Sequence, residues 1–193
     1  VHPVPGGSIA GQADMNGSAF PGVTSPQDGG GTVAYISDCQ IETDREAVIP
    51  DSYVSSAGEK LRLYRELDSI TDEERLARFE SQLTDRFGDI PTATHELFDI
   101  VRLRWICIRL GFEKAIVKNG IMILQFVHNQ KSAYYKSELF GRILRVSTRP
   151  GSKFIFRQNN NKLSVVVRSI KDIAAAAATL RELETEAAKQ PTA

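Results

Sequence analysis

The spacing of apolar residues changes after Gly111, and that change limits the chain to helices first and hairpins afterwards. Leu63, Leu67 and Ile70, flanked by Leu61 and Tyr64, mark a first helix over 57–69. Leu76, Phe79, Leu83 and Phe87 stand at i, i+3, i+7 and i+11, one stripe on a second helix starting near Asp72. Thr71-x-x-Glu74 has the capping-box pattern that would open it. Gly88 supplies a left-handed stop, and Pro91 fits the first turn of the next helix, where its missing N–H costs nothing. That third helix, 92–110, carries Leu97, Phe98, Val101, Trp105 and Ile108 and is apolar nearly all round. Such a helix is buried, so it is expected to be the spine of the core.

Beyond Gly111, segments 115–118 and 121–127 flank Asn119-Gly120, two residues that tolerate the positive φ of a tight hairpin turn. A helix over 130–144 follows, with Asn129 as its candidate cap. A second hairpin, 153–157 with 162–168, turns at Asn159-Asn160-Asn161. Ser169-x-x-Asp172 opens a last helix over 171–188, striped by Ile173, Ala177, Leu180, Leu183 and Ala187. The expected fold class is α+β: an N-terminal helical layer, then two β-hairpin–helix units forming a small antiparallel or mixed sheet of four strands, covered by helices.

Four segments are expected. Residues 1–33 are rich in Gly, Pro and Ser and read as a flexible lead-in. Residues 34–56 read as an extended arm or linker: Tyr35, Ser37, Cys39 and Ile41 alternate with more polar neighbours, which suits a short edge strand, and Ile49-Pro50 blocks a helix. Residues 57–188 form the domain, and 189–193 a tail.

Several chemistries find no support. Lys plus Arg equals Asp plus Glu, 24 against 24, so no overall basic field points to nucleic acid. Cys39 and Cys107 lie far apart without a C-x-x-C, which suits a reducing cytosol rather than a disulfide framework. His2, His95 and His128 are scattered, so no metal site is expected. There is no G-x-x-x-x-G-K-[ST] loop to cradle a nucleotide. No apolar run is long enough to span a bilayer, and no signal peptide is apparent. Neither catalytic residues nor cofactors are predicted.

Gln82, Asp85 and Arg86 share a wet face at the end of the second helix, where most charged positions are solvated surface of little energetic consequence. A resemblance gives them a second reading. Glu59-Lys60-Leu61-Arg62-Leu63-Tyr64, Asp85-Arg86-Phe87-Gly88, Val101-Arg102-Leu103-Arg104 and Leu110-Gly111-Phe112-Glu113-Lys114 occur in the order and spacing of one family. Asp38-Cys39-Gln40-Ile41-Glu42-Thr43-Asp44 and Ile49-Pro50-Asp51-Ser52-Tyr53 fit its leading segment. Over about residues 35–185 the chain resembles the C-terminal (TRCF) domain of the bacterial transcription-repair coupling factor, Mfd.

The resemblance implies a regulatory interaction domain acting in the bacterial cytoplasm. It would pack on the N-terminal UvrB-like module of the same protein and hide the surface used by UvrA. RNA polymerase and DNA would be engaged by other domains, and the ATP-driven motor would lie outside this chain. The family's contact face maps to Asp85 and Arg86, with Gln82 where the family often carries an acid.

The competing reading is a nucleic-acid-binding module. Arg102, Arg104 and Arg109 cluster on one helix, and Arg142, Arg145 and Arg149 cluster later. Phe154 and Phe156 alternate on a strand beside Arg157, a layout that could stack bases unless the rings face the core and the arginines meet local acids.

Overall fold

The computed structural model describes residues 33–189; the expectations for all but the last residue of the lead-in, for His2 and for all but the first residue of the tail lie outside them. Five helices and five strands run in the order β1 (Gln40–Thr43), α1 (Ala57–Ser69), α2 (Glu73–Phe87), α3 (Thr92–Leu110), β2 (Phe112–Lys118), β3 (Ile121–Phe126), α4 (Glu138–Thr148), β4 (Ile155–Asn159), β5 (Lys162–Arg168) and α5 (Ile173–Ala188). The fold is α+β, as the change of period indicates.

The sheet has five strands, not four, in the order β1-β2-β3-β5-β4. The extra strand comes from the arm. β1 pairs parallel with β2, Ile41 opposite Ala115, while every other pairing is antiparallel. The Asn119-Gly120 turn is as expected, with φ of 52° and 73°.

Two hydrophobic clusters share one spine. Leu103, Ile106, Cys107 and Leu110 of α3 join the sheet, α4 and α5 in the larger cluster. Phe98 and Val101, just ahead of Leu103 on the same helix, join α1 and α2 in the smaller. The arm completes the smaller one with Ile49 and Val54, both buried. Its backbone is pinned as well: Val48 N–H donates to Ala93 O at 3.1 Å, and Ile49 N–H donates to the Tyr64 hydroxyl at 2.8 Å. Cys39 and Cys107, distant in sequence, are both buried in the larger cluster as free thiols.

Several local details differ from expectation. Asp72, not Thr71, caps α2 by accepting from Arg75 N–H at 2.8 Å. Asp172 likewise caps α5, while Ser169 sits at φ 62° ahead of it. Pro91 stands at the cap of α3, just ahead of its first turn, and the helix runs from Thr92 as expected. The helix expected over 130–144 is broken: Ala133–Lys136 is a 3₁₀ turn capped by Ser132, and Ser137 starts α4 afresh. Trp105, placed on the apolar spine, is only half-buried; its indole N–H donates to Ile70 O at 3.0 Å.

Candidate protein-contact site

The end of α2 is a rigid corner. Gly88 takes φ 83°, and its N–H closes back on Thr84 O at 2.9 Å. The arm then clamps the corner from outside. The Tyr53 hydroxyl lies 3.2 Å from Leu83 O and 2.9 Å from Gly88 O, and its ring meets Phe87 edge-on at 5.7 Å. Leu76, Phe79 and Leu83 fill the smaller core, so the opposite face of the helix is left to water.

Gln82, Asp85 and Arg86 all lie exposed on α2, the first on the turn before the other two. The structure brings them to one helix end but gives the charged pair different surroundings. Arg86 reaches across to α1, where Nη2 meets Glu59 Oε1 at 2.6 Å. The Arg86 guanidinium carbon also lies 4.8 Å from the Phe87 ring centre, a cation–π arrangement. Glu59 is shared with Arg62 at 2.9 Å. The Arg86 hydrogen bond, helped by Arg62, holds the Glu59 carboxyl below its usual range.

Asp85 borders a shallow concavity with Glu80, Ser81, Thr84, Asp89 and His95. No ion-pair partner meets Asp85 among the described residues. Chemically the corner therefore offers one uncommitted carboxylate, one amide, and one arginine already oriented by an acid of the same domain. Glu59 is the residue that sequence reading missed. It stands 27 positions before Arg86, so only the packing of α1 against α2 brings them together.

The arginines of the competing reading are largely spoken for. Arg102 bonds Glu73, Glu80 and Asp99 at 2.6, 3.0 and 3.1 Å. Arg104 meets Asp68 at 2.8 Å, Arg109 meets Glu184 at 2.7 Å, and Arg149 meets Glu186 at 3.6 Å. Arg142 pairs with Glu138, and Arg145 donates to Lys189 O at 3.1 Å. Phe154 is buried, and Phe156 packs against the larger core 6.2 Å from Phe126, so neither ring offers a free face for a base. Among the described residues no three His, Cys, Asp or Glu side chains converge as a metal site would require, and no helix is long and apolar enough to cross a membrane.

Known proteins match this arrangement. A family model, TRCF domain, matches residues 43–137, from the last residue of β1 to the start of α4. The transcription-repair-coupling factor of Rickettsia bellii is 31% identical over 116 residues, 56% of this chain and 10% of that protein. That of Staphylococcus epidermidis is 27% identical over 135 residues, 69% of this chain and 11% of that protein. The chain thus spans about a tenth of the length of these curated relatives. A crystal structure of the C-terminal domain of transcription-repair coupling factor superposes with a TM-score of 0.57 at 17% identity, covering 77% of this chain and 96% of that one, and shows the same fold. By family model and curated relatives, residues 43–137 of the chain carry a TRCF domain, as found in transcription-repair coupling factors.

Proposed function

We propose that this domain is a regulatory clamp within transcription-coupled DNA repair. It docks on the N-terminal UvrB-like module of its parent protein and covers the surface that UvrA would otherwise take. RNA polymerase, DNA and ATP turnover then belong to other domains of the parent, which works in the bacterial cytoplasm. Residues 57–188 carry the contact, with the preceding arm bracing it.

The observation that carries this reading is the end of α2. It is rigid, it is exposed, and it presents Gln82 and the uncommitted Asp85 beside an Arg86 oriented by Glu59. A small polar surface of this kind suits a contact that must hold and then release, because charge complementarity gives specificity and rate more than raw affinity. A masking interaction of about 1–3 kcal/mol is enough to shift UvrA binding roughly five- to 150-fold.

The test is titration of this chain with the isolated N-terminal UvrB-like module, by calorimetry at two salt concentrations. Binding that weakens about tenfold or more in Asp85→Lys supports the clamp, since reversal adds repulsion to the lost contact. Equal binding by parent and variant, with the fold intact by circular dichroism, would remove the site. A complete lack of binding by both would remove the function.

A further inference from the structure

The helices α3, α4 and α5 cover one face of the sheet: Ala115, Val117, Met122, Leu124, Val165 and Val167 point into them and are buried. The alternate residues necessarily point the other way. On that second face Ile116, Ile123, Val166 and Ile155 form one register row across β2, β3, β5 and β4, each directly opposite the next. They are half-buried and belong to neither core cluster. No hydrophobic residue packed against either cluster comes from this face of the sheet.

The rows on either side are cationic. Two residues along the strands in one direction stand Lys114 and Arg157, separated by Gln125 and Ser164. In the other direction stand Lys118 and Arg168, separated by Ile121. Glu42 of β1, at the end of the apolar row, is the one acid in these pairings; it is shared by Lys114 and by Lys118 at 3.4 Å. Arg157 and Arg168 have no ion-pair partner among the described residues. The zero overall charge conceals this segregation: from His128 to Lys171 the chain holds ten Lys or Arg and a single acid, Glu138.

We propose that this open sheet face is a second protein-docking surface, and that its occupant is an acidic amphipathic helix of a partner protein. The fit follows from spacing and charge. With strands about 4.8 Å apart, the four apolar residues span about 14 Å. About ten residues of helix cover that distance at 1.5 Å each, presenting apolar side chains once per turn. Acidic residues flanking such a stripe would meet cations on both sides. An apolar row fringed by charge is the pattern of a helix-binding surface, whereas single-stranded nucleic acid calls for aromatic platforms, and this row has none. The face lies opposite the helical layers of the domain, so the proposal stands independently of the α2 corner.

The test uses a fluorescent synthetic helix of four leucines at one-turn spacing flanked by glutamates, its lysine-for-glutamate counterpart, and an oligothymidine strand, titrated by anisotropy against the intact chain. The expected result is saturable binding of the acidic helix alone, weakened about tenfold or more by Arg157→Glu with Arg168→Glu, as reversal of complementary charge should do. Ile123→Thr keeps a β-branched residue in the strand and should also weaken it severalfold. Circular dichroism of each variant confirms the fold. Equal affinity for the acidic and basic helices, indifference to all three substitutions, or tighter binding of oligothymidine would each overturn the proposal.

Discussion

Tyr134 lies over Gly111. Its hydroxyl donates to Leu110 O at 2.7 Å, and a methyl group added at Gly111 would run into the Tyr134 ring. Gly111 also takes φ 80° as the cap of α3. One contact thus fixes where the spine ends, where β2 begins and why the segment before α4 is a 3₁₀ turn. Burial pushes the Tyr134 hydroxyl far above its ordinary value, so it remains a donor at any working pH. Gly111→Ala combines left-handed strain with overpacking and should cost roughly 2–5 kcal/mol in urea unfolding. Tyr134→Phe keeps the ring but orphans the Leu110 carbonyl, and should cost about 1–3 kcal/mol.

Arg102 joins α2 to α3 through Glu73, Glu80 and Asp99, and this gives stability a pH dependence with a defined sign. The Arg102 hydrogen bond holds Glu73 below the ordinary glutamate value of 4.5. A depressed carboxyl stabilises above that value, and the contribution fades as pH falls through its lowered folded value. Asp99 runs the other way, since burial raises it above 3.8 despite Arg102, so acid relieves its cost. Arg102→Gln should therefore lose about 1–3 kcal/mol at neutral pH by stranding partly buried carboxylates. The gap from the parent should narrow as pH falls below 4.5 and lose its Glu73 share only below that carboxyl's lowered folded value. Denaturant melts at neutral and acid pH measure both effects; a gap that widens in acid would contradict the assignment.

The arm is part of the fold. Ile49 is 2% exposed among α1, α2 and α3, so Ile49→Ala should cost about 2–4 kcal/mol, as an emptied core site does. Arg45 nearby bonds the nearly buried Glu96 at 2.7 Å, and Glu96 Oε2 has no hydrogen-bond partner among the described residues. A chain beginning after the arm would lose β1, Ile49 and this ion pair together. Its thermal transition should be absent or far lower than that of the intact chain.

What could be read from sequence was local. The limits of α1 and α3 follow from periodic apolar residues and, for α3, from Gly111 as a stop within a turn of the boundary. What could not be read depends on contacts between distant segments. β1 is only four residues long, and its parallel pairing with β2 joins residues more than seventy positions apart. The break at Ser137 arises because Tyr134 is held in the larger core and Ser137 can cap α4, which helical periodicity over 130–144 does not reveal. Trp105 looked like core because its helix is apolar, yet it sits where the smaller cluster opens to water. Trp105→Phe should cost only about 1–2 kcal/mol, mostly the orphaned Ile70 carbonyl. The cationic flanks of the open sheet face stayed hidden because net charge sums over the whole chain, while the face depends on register.

The α2 corner separates two neighbours that sequence treats as a pair. Arg86 is engaged by Glu59 and Phe87, whereas Asp85 faces solvent beside Asp89 and His95. Their substitutions should therefore differ. Asp85→Ala removes no ion pair or side-chain hydrogen bond among the described residues, so unfolding should be unchanged while binding of the N-terminal UvrB-like module weakens by about 1–3 kcal/mol. Arg86→Ala should shift the Glu59 carboxyl back toward its ordinary 4.5, visible by NMR titration, because the hydrogen bond from Arg86 is gone. Glu59→Gln leaves Arg86 in place but less firmly oriented. If Arg86 reaches the partner in the geometry that Glu59 imposes, Glu59→Gln should bind more weakly than the parent and more tightly than Arg86→Ala. Binding equal to the parent in Glu59→Gln but reduced in Arg86→Ala would mean that Arg86 leaves Glu59 on docking. Unchanged binding in all three variants, with folds intact, would return the corner to ordinary solvated surface.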